Sequence, residues 1–237
     1  MADAPLHRRA INKAKDIQHH LAVRVVGTKY SEKEWESRGE EGSYWDSRQA
    51  PHRDLLAKAI LSFSPSSILE IGCNTGPNLF RLAEKLPEAK LVGVDISAAA
   101  IARGRSNFHE LGMKNVELLE AKADDLSAFE DKSFDVVFAD AVLIYIGKDK
   151  VEAVVREMMR LAKKAIILLE YYDPSASPEG TFIFEKGYWK RDYVGLFQNR
   201  HGVEEVKSTR LSKEIWDDEY WSRLGAIIEV RLAYGDE

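Results

Sequence analysis

Ser67-Ile-Leu-Glu-Ile-Gly-Cys-Asn-Thr-Gly76 is the stretch whose reading decides the fold. Ser67 to Ile71 reads as a buried strand running into a turn marked by Gly72 and Gly76, and a helical pattern over 78–86 follows. Strand, turn and helix in that order form a ligand-binding corner of an open α/β sheet, with the ligand outside the carboxyl end of the strand. Glycine suits both the sharp turn and a close backbone approach to a ligand. The helix start adds unpaired N–H groups and a partial positive charge.

A dinucleotide site places its glycines as G-x-G-x-x-G. Counted from Gly72, the second place holds Asn74 and the third Pro77, so the chain reads Glu70-x-Gly72-x-x-x-Gly76 instead. A second apolar strand, Leu91-Val-Gly-Val-Asp95, ends in a carboxylate. An acid in that place, about 20 residues past the turn, can accept hydrogen bonds from a ribose diol. A nucleoside is therefore expected without the need for a pyrophosphate, which disfavours a nicotinamide-dependent oxidoreductase.

Working outward, further strands are expected over 115–119, over 134–139 with Asp140 at the end, and over 165–169 with Glu170 at the end. Helical spacing marks 51–63, 98–111 (with Ser97 as N-cap) and 149–161. Two closing strands are expected over 203–210 and 225–233. Residues 11–26 read as a helix that suits packing on its own domain or, as a homodimer, on a second copy. Residues 30–53 hold many aromatic and charged side chains with poor apolar periodicity, and Gly39 and Gly42 would let them hinge. The expected organisation is an N-terminal helix and lid over 1–53, then one domain over 54–237 with an aromatic-rich insertion near 171–193.

The chain has 237 residues, 34 Lys plus Arg against 39 Asp plus Glu, and a net charge of −5. That balance supplies no global basic field for nucleic acid or an anionic membrane. The single cysteine, Cys73, leaves no intrachain disulfide and no cysteine metal cluster, and no metal is expected. No apolar run approaches the ~18 residues of a membrane span, and no signal-peptide core is apparent, so a cytoplasmic protein is expected.

Four stretches carry a resemblance in order and spacing: Ile68-Leu-Glu-Ile-Gly-Cys-Asn-Thr-Gly76, Val92-Gly-Val-Asp-Ile-Ser97, Asp131-Lys-Ser-Phe-Asp-Val-Val-Phe-Ala-Asp140 and Ala165-Ile-Ile-Leu-Leu-Glu170. Together they resemble the class I S-adenosylmethionine-dependent methyltransferases of small-molecule type. The resemblance implies a Rossmann-like α/β fold: a mixed seven-stranded sheet, helices on both faces and a C-terminal antiparallel hairpin. It implies S-adenosyl-L-methionine as cofactor, held around the glycine turn by Glu70, Gly72, Asn74, Gly76 and Asn78. Asp95 would take the ribose, with Ile96 on one face of the adenine. Asp140 and Ala141 would stand beside the transfer site. The segment before the first strand would act as a lid, with Tyr44 and Arg48 closing on the methionine end and Arg48 pairing with its carboxylate.

Three departures qualify the resemblance. Lys122 stands where the family often has an adenine-binding Asp; a lysine accepts no hydrogen bond, so it should point away. Either Asp124 takes over or backbone groups around Ala123 hold the base. Asp140-Ala-Val-Leu143 lacks the Asn/Asp-Pro-Pro-aromatic motif of nucleic-acid amino methyltransferases. Val142-Leu-Ile-Tyr145 lacks the His of a Leu-x-His pattern found in many small-molecule members.

Methyl transfer from a sulfonium is an in-line displacement that asks the protein to align the acceptor and exclude water. An oxygen acceptor or a protonated amine also calls for a base. Tyr145, Glu170 and Asp173 are the candidate catalytic residues, with His52 as a further base; a tyrosine pKa near 10 suits Tyr145 to orienting a substrate. The Tyr- and Trp-rich flanks would wall a pocket for an aromatic or cationic small molecule. Two other readings share the fold. A protein or RNA methyltransferase would show an open trough and a basic stripe, for which Arg8, Arg9, Lys13 and Lys15 are candidates. A catalytically inactive partner subunit would bind cofactor without turnover.

Overall fold

The computed structural model describes residues 17–25, 27–37, 43–184 and 186–233. Strand β1 (Ser67–Ile71) is the pivot: it pairs in parallel with β2 (Lys90–Asp95) on one side and β4 (Phe134–Asp140) on the other. Beyond β2 lies β3 (Val116–Glu120), and beyond β4 lies β5 (Ala162–Tyr171). The late strands β8 (Val203–Arg210) and β9 (Gly225–Leu232) close the sheet antiparallel, with β9 inserted between β5 and β8. The order is β3-β2-β1-β4-β5-β9-β8, seven strands with a switch point between β1 and β4. This is the mixed sheet expected from the sequence. A ligand crevice belongs at the carboxyl ends of such strands, beside the switch.

Successive strand residues face opposite sides of a sheet. Leu69, Ile71, Val92, Val94, Val137 and Leu168 point to the face covered by α7 (Val151–Leu161) and α8 (Tyr193–Phe197). Ile68, Leu91, Val136, Phe138, Ile167 and Leu169 point to the face covered by α4 (Pro51–Leu61), α5 (Pro77–Lys85), α6 (Ala98–Glu110) and α9 (Glu219–Leu224). The helices start on local signals. Pro51 and Pro77 occupy first-turn positions, where the missing N–H costs nothing. The Ser97 hydroxyl accepts from Ala100 N at 3.3 Å, and the Asp218 carboxylate accepts from Tyr220 N and Trp221 N.

The segment before β1 is more regular than its sequence pattern suggests. Residues 17–25 are helical (α1), followed by α2 (Thr28–Ser37), α3 (Ser43–Asp46) and a 3₁₀ turn at Ser47–Gln49. Residues 11–16 of the expected first helix, the basic Arg8 to Lys15 group, and Gly39 and Gly42 lie outside the described residues. The expected division after residue 53 falls inside α4, so the segment boundary belongs before Pro51. α1 buries Val23 and leaves Ile17, Leu21 and Val25 exposed, while its His20 ring meets Phe184 edge-on at 5.5 Å beside the small hairpin β6 (Thr181–Ile183) and β7 (Tyr188–Lys190). Among the described residues no helix is long and apolar enough to cross a membrane.

Gly76 shows why the second glycine of the opening motif is needed. Its φ is +82°, and an added Cβ would lie 2.6 Å from the Phe108 ring. A left-handed L-residue costs about 1–2 kcal/mol and overpacking about 1–3 more. Gly76→Ala is therefore expected to lower stability by about 2–5 kcal/mol and the melting temperature by roughly 5–15 °C. Calorimetric or dichroism melts check this; an unchanged midpoint would contradict it.

Candidate functional site

Strand parity aims the acids. Glu70 shares a face with Ile68, and Asp140 shares one with Val136 and Phe138, so both carboxylates look toward α4 and α5. There Asn78 Nδ2 donates to Glu70 Oε1 at 2.8 Å and to Asp140 Oδ2 at 3.0 Å. Arg53 donates to Asn78 Oδ1 at 2.7 Å and to Asp140 Oδ2 at 3.3 Å, and its other nitrogens reach Ser47 O and Ser47 Oγ. All four side chains are buried or nearly so. Burial pushes the Glu70 carboxyl well above the usual carboxylate range, against the Asn78 hydrogen bond. Glu70 Oε2 and Asp140 Oδ1 are buried with no hydrogen-bond partner among the described residues.

The glycine turn opens a cavity of about 460 Å³ above this cluster. Gly72 has a φ of +73°, and a Cβ there would run into Val142 Cγ2 at 2.3 Å. Asn74 is also left-handed, a conformation its short amide tolerates, and its N–H donates to Asp95 Oδ2 at 2.8 Å. Asp95 Oδ1 accepts from Ser97 N at 2.9 Å. Each oxygen keeps further accepting capacity, and the residue lines the cavity. Burial raises the Asp95 pKa, opposed by these N–H donors. Ile96, Ala121 and Ala123 add apolar wall, and Asp124 pairs with Lys150 at 2.8 Å.

α2 closes over this end. Asp149 accepts from Thr28 N and Thr28 Oγ1, and Gly147 N donates to Thr28 Oγ1 at 2.8 Å. Lys150 also pairs with Glu32 at 2.5 Å. Lys122 does point away from the cavity, toward Glu36 at 3.4 Å.

Aromatic rings ring the other end in one unbroken chain of contacts. Tyr44 meets Trp35 with centroids 6.2 Å apart, Trp35 meets Tyr145 at 5.1 Å, and Tyr145 meets Tyr188 at 5.2 Å. Tyr188 meets Tyr171 at 6.0 Å, which meets Trp221 at 4.5 Å. Trp221 stacks on Trp216 at 4.2 Å, and Trp216 stacks on His52 at 3.9 Å. All but Tyr171 line the cavity.

Most of the residues expected at the site line this cavity: Tyr44, Glu70, Gly72, Asn74, Asn78, Asp95, Ile96, Ala123, Asp124, Asp140, Ala141 and Tyr145. Four do not. Arg48 lies over the Trp45 and Phe80 rings, 5.2 and 5.5 Å away, and donates to Trp45 O; the buried arginine of this segment is Arg53, five residues later. Gly76 faces Phe108. Asp173 pairs with Lys190 at 2.6 Å, which with Ser175 holds its pKa down to about 2. Glu170 sits on the opposite sheet face from Leu169, and takes the N–H groups of Val142, Leu143 and Ile144 at 2.8, 2.9 and 3.1 Å. It holds the turn that carries Tyr145 and does not face the cavity, which corrects its reading as a base. Fully buried Arg191, which the sequence did not flag, donates to Leu143 O and Ile146 O of the same turn.

His52 is 7% exposed, and burial lowers its pKa from 6.5 to about 4, with Asp140 opposing. Between these values the unfolded chain takes up a proton that the folded one refuses, so stability falls as pH drops through that window. Wild type should lose about 2.5 kcal/mol from this group between pH 7 and 4.5. His52→Phe, which keeps a ring on Trp216, should not show that loss; denaturant titrations at both pH values check it, and equal losses would contradict it.

Residues 68–165 match the family model described as a methyltransferase domain. The trans-aconitate 2-methyltransferase of Deinococcus radiodurans is 30% identical over 102 residues, 43% of this chain and 36% of that protein. A probable S-adenosylmethionine-dependent methyltransferase of Saccharomyces cerevisiae is 25% identical over 168 residues, 67% of this chain and 56% of that protein. The chain spans between 15% and 56% of the length of these and the other first curated relatives. The crystal structure of a SAM-dependent methyltransferase from Aquifex aeolicus superposes with a TM-score of 0.56 over 82% of this chain and all of that one; at 14% identity this shows the fold alone. The matched domain, the motifs in order and the sheet that carries them are similar to those of the class I S-adenosylmethionine-dependent methyltransferases.

Proposed function

We infer that the protein transfers the methyl group of S-adenosyl-L-methionine to a small-molecule acceptor. The observation that carries this reading is one cavity with Asp95 at one end and the aromatic belt at the other. The residues present fit the cofactor. Asp95 is braced by two N–H groups and keeps accepting capacity for a diol. Gly72 leaves backbone where a side chain would strike Val142. The unpartnered oxygens of Glu70 and Asp140 suit a neighbouring ammonium. A volume of about 460 Å³ lies within the usual range for small-molecule sites.

Asp95 would hold the ribose, Ile96 and Ala123 the faces of the base, and the Arg53–Asn78–Asp140 cluster would fix the methionine end. When bound, the cofactor supplies an activated methyl group. The chain's task is to hold an acceptor in line with it and keep water out. Tyr145 would orient that acceptor, from a turn pinned by Glu170 and Arg191. A flat or cationic body fits the belt best. The trans-aconitate named for some relatives is a tricarboxylate, and Arg53 and Lys150, the only cations among the described cavity residues, are both already paired with acids. The exposed row Ile17, Leu21 and Val25 supports contact with a second copy, and a buried lone cysteine is in keeping with a cytoplasmic protein.

Calorimetric titration of S-adenosylmethionine and S-adenosylhomocysteine tests the reading. Wild type is expected to bind both, and Asp95→Ala to lose at least about tenfold in affinity, from hydrogen bonds to a charged group worth about 1.5–3 kcal/mol. No binding by wild type, or an unchanged Asp95→Ala, would overturn it. The absence of turnover with any acceptor in a labelled-methyl screen would favour the inactive partner-subunit reading.

A further inference from the structure

The belt and the charge of the wall select an acceptor more narrowly than size does. Five acidic side chains line the cavity, Glu32, Glu70, Asp95, Asp124 and Asp140, and with burial favouring the neutral acid at Glu70 four carboxylates stand against Arg53 and Lys150. Arg53 is 3.3 Å from Asp140, and Lys150 lies within 2.8 Å of both Glu32 and Asp124. No described cation on the wall is left to balance an anionic ligand. A phenolate or carboxylate would enter a field of its own sign. At the belt end, Tyr145 and Tyr188 offer ring surface beside the stacked Trp216 and Trp221, and the negative faces of rings attract cations.

We propose that the acceptor atom is the nitrogen of an amine and that the product is the more highly methylated, cationic ammonium, held in the aromatic belt. This rests on the methyltransferase reading. In the transfer the amine lone pair forms the new N–C bond as the S–C bond breaks, and its electron pair returns to sulfur. The positive charge passes from sulfur to nitrogen, and no proton moves in that step. An amine that arrives as an ammonium gives its proton to water before attack. Positive charge is thus present throughout the transfer, which an acidic, ring-walled chamber favours and a neutralising oxyanion acceptor would not exploit.

Charge selectivity can be read without turnover. Intrinsic tryptophan fluorescence of cofactor-free protein is titrated with phenyltrimethylammonium, with its uncharged isostere tert-butylbenzene, and with benzoate. The cation should bind about tenfold or more tightly than the isostere, and benzoate should bind more weakly than the cation. Tyr145→Leu and Tyr188→Leu should each weaken the cation at least about fivefold, as expected for desolvated cation–ring contacts, while S-adenosylhomocysteine affinity stays within about twofold. An isostere or benzoate that binds as tightly as the cation overturns the proposal, as does a cation whose affinity neither variant changes. Failure of S-adenosylhomocysteine to bind wild type, with cation selectivity intact, would sink the methyltransferase reading and leave the cation site standing.

Discussion

The buried bonds among Arg53, Asn78, Glu70 and Asp140 are the constraint on which the site depends. They join the start of α4, the start of α5 and the ends of β1 and β4 at one point. Removing one member would leave a buried charge or amide unpaired, at a cost of about 3–5 kcal/mol for a broken buried ion pair. The cluster is placed at the switch point of the sheet, where β1 turns away from β4 and the cavity opens. Asp95 on one side and the turn after Asp140 on the other are both set relative to it. Ser47, which receives Arg53 through its carbonyl and hydroxyl, ties the segment before α4 to the same point.

The two ends of the cavity are built on different physical terms. At the Asp95 end, backbone N–H groups and left-handed turn residues define the shape, so side chains there have little freedom. At the far end, rings from α2, α3, α4, the turn after β4, β7 and the β8–β9 connection meet one another, and each comes from a separate piece of chain. That end is closed only when the segments before α4 and after β8 are both in place. Glu170 and Arg191 act beneath it. One takes the N–H groups of the turn and the other its carbonyls, so two fully buried ionisable side chains are satisfied by backbone rather than by each other.

Much of this was legible in the sequence, for reasons that can be named. β1, β2 and β4 are short apolar runs with turn residues at their ends, whereas the shared face of Glu70 and Asp140 depends on the register that pairs Glu70 with Phe138. The register that pairs Asp140 with Leu169 puts Glu170 on the other face, so its structural role was not legible from the strand pattern. α2 was not legible by hydrophobic period, because the face it buries carries Thr28 and Ser31 and its anchor is the distant Asp149. Arg48 and Arg53 are alike in sequence. The start of α4 at Pro51 turns Arg53 inward, while the 3₁₀ turn lays Arg48 over Trp45 and Phe80. The ring chain joining His52 to Trp216 spans the length of the fold and leaves no local signal.

The most direct measurement is the affinity of S-adenosylhomocysteine for Arg53→Met compared with wild type, by calorimetry on protein whose dichroism shows it folded. If the buried cluster shapes the cofactor pocket, the folded variant should bind at least about tenfold more weakly, because Asn78 and Asp140 lose the partner that fixes them at the methionine end. Undiminished affinity in a folded Arg53→Met protein would contradict the account, because the pocket would then stand without the interaction that is held here to organise it.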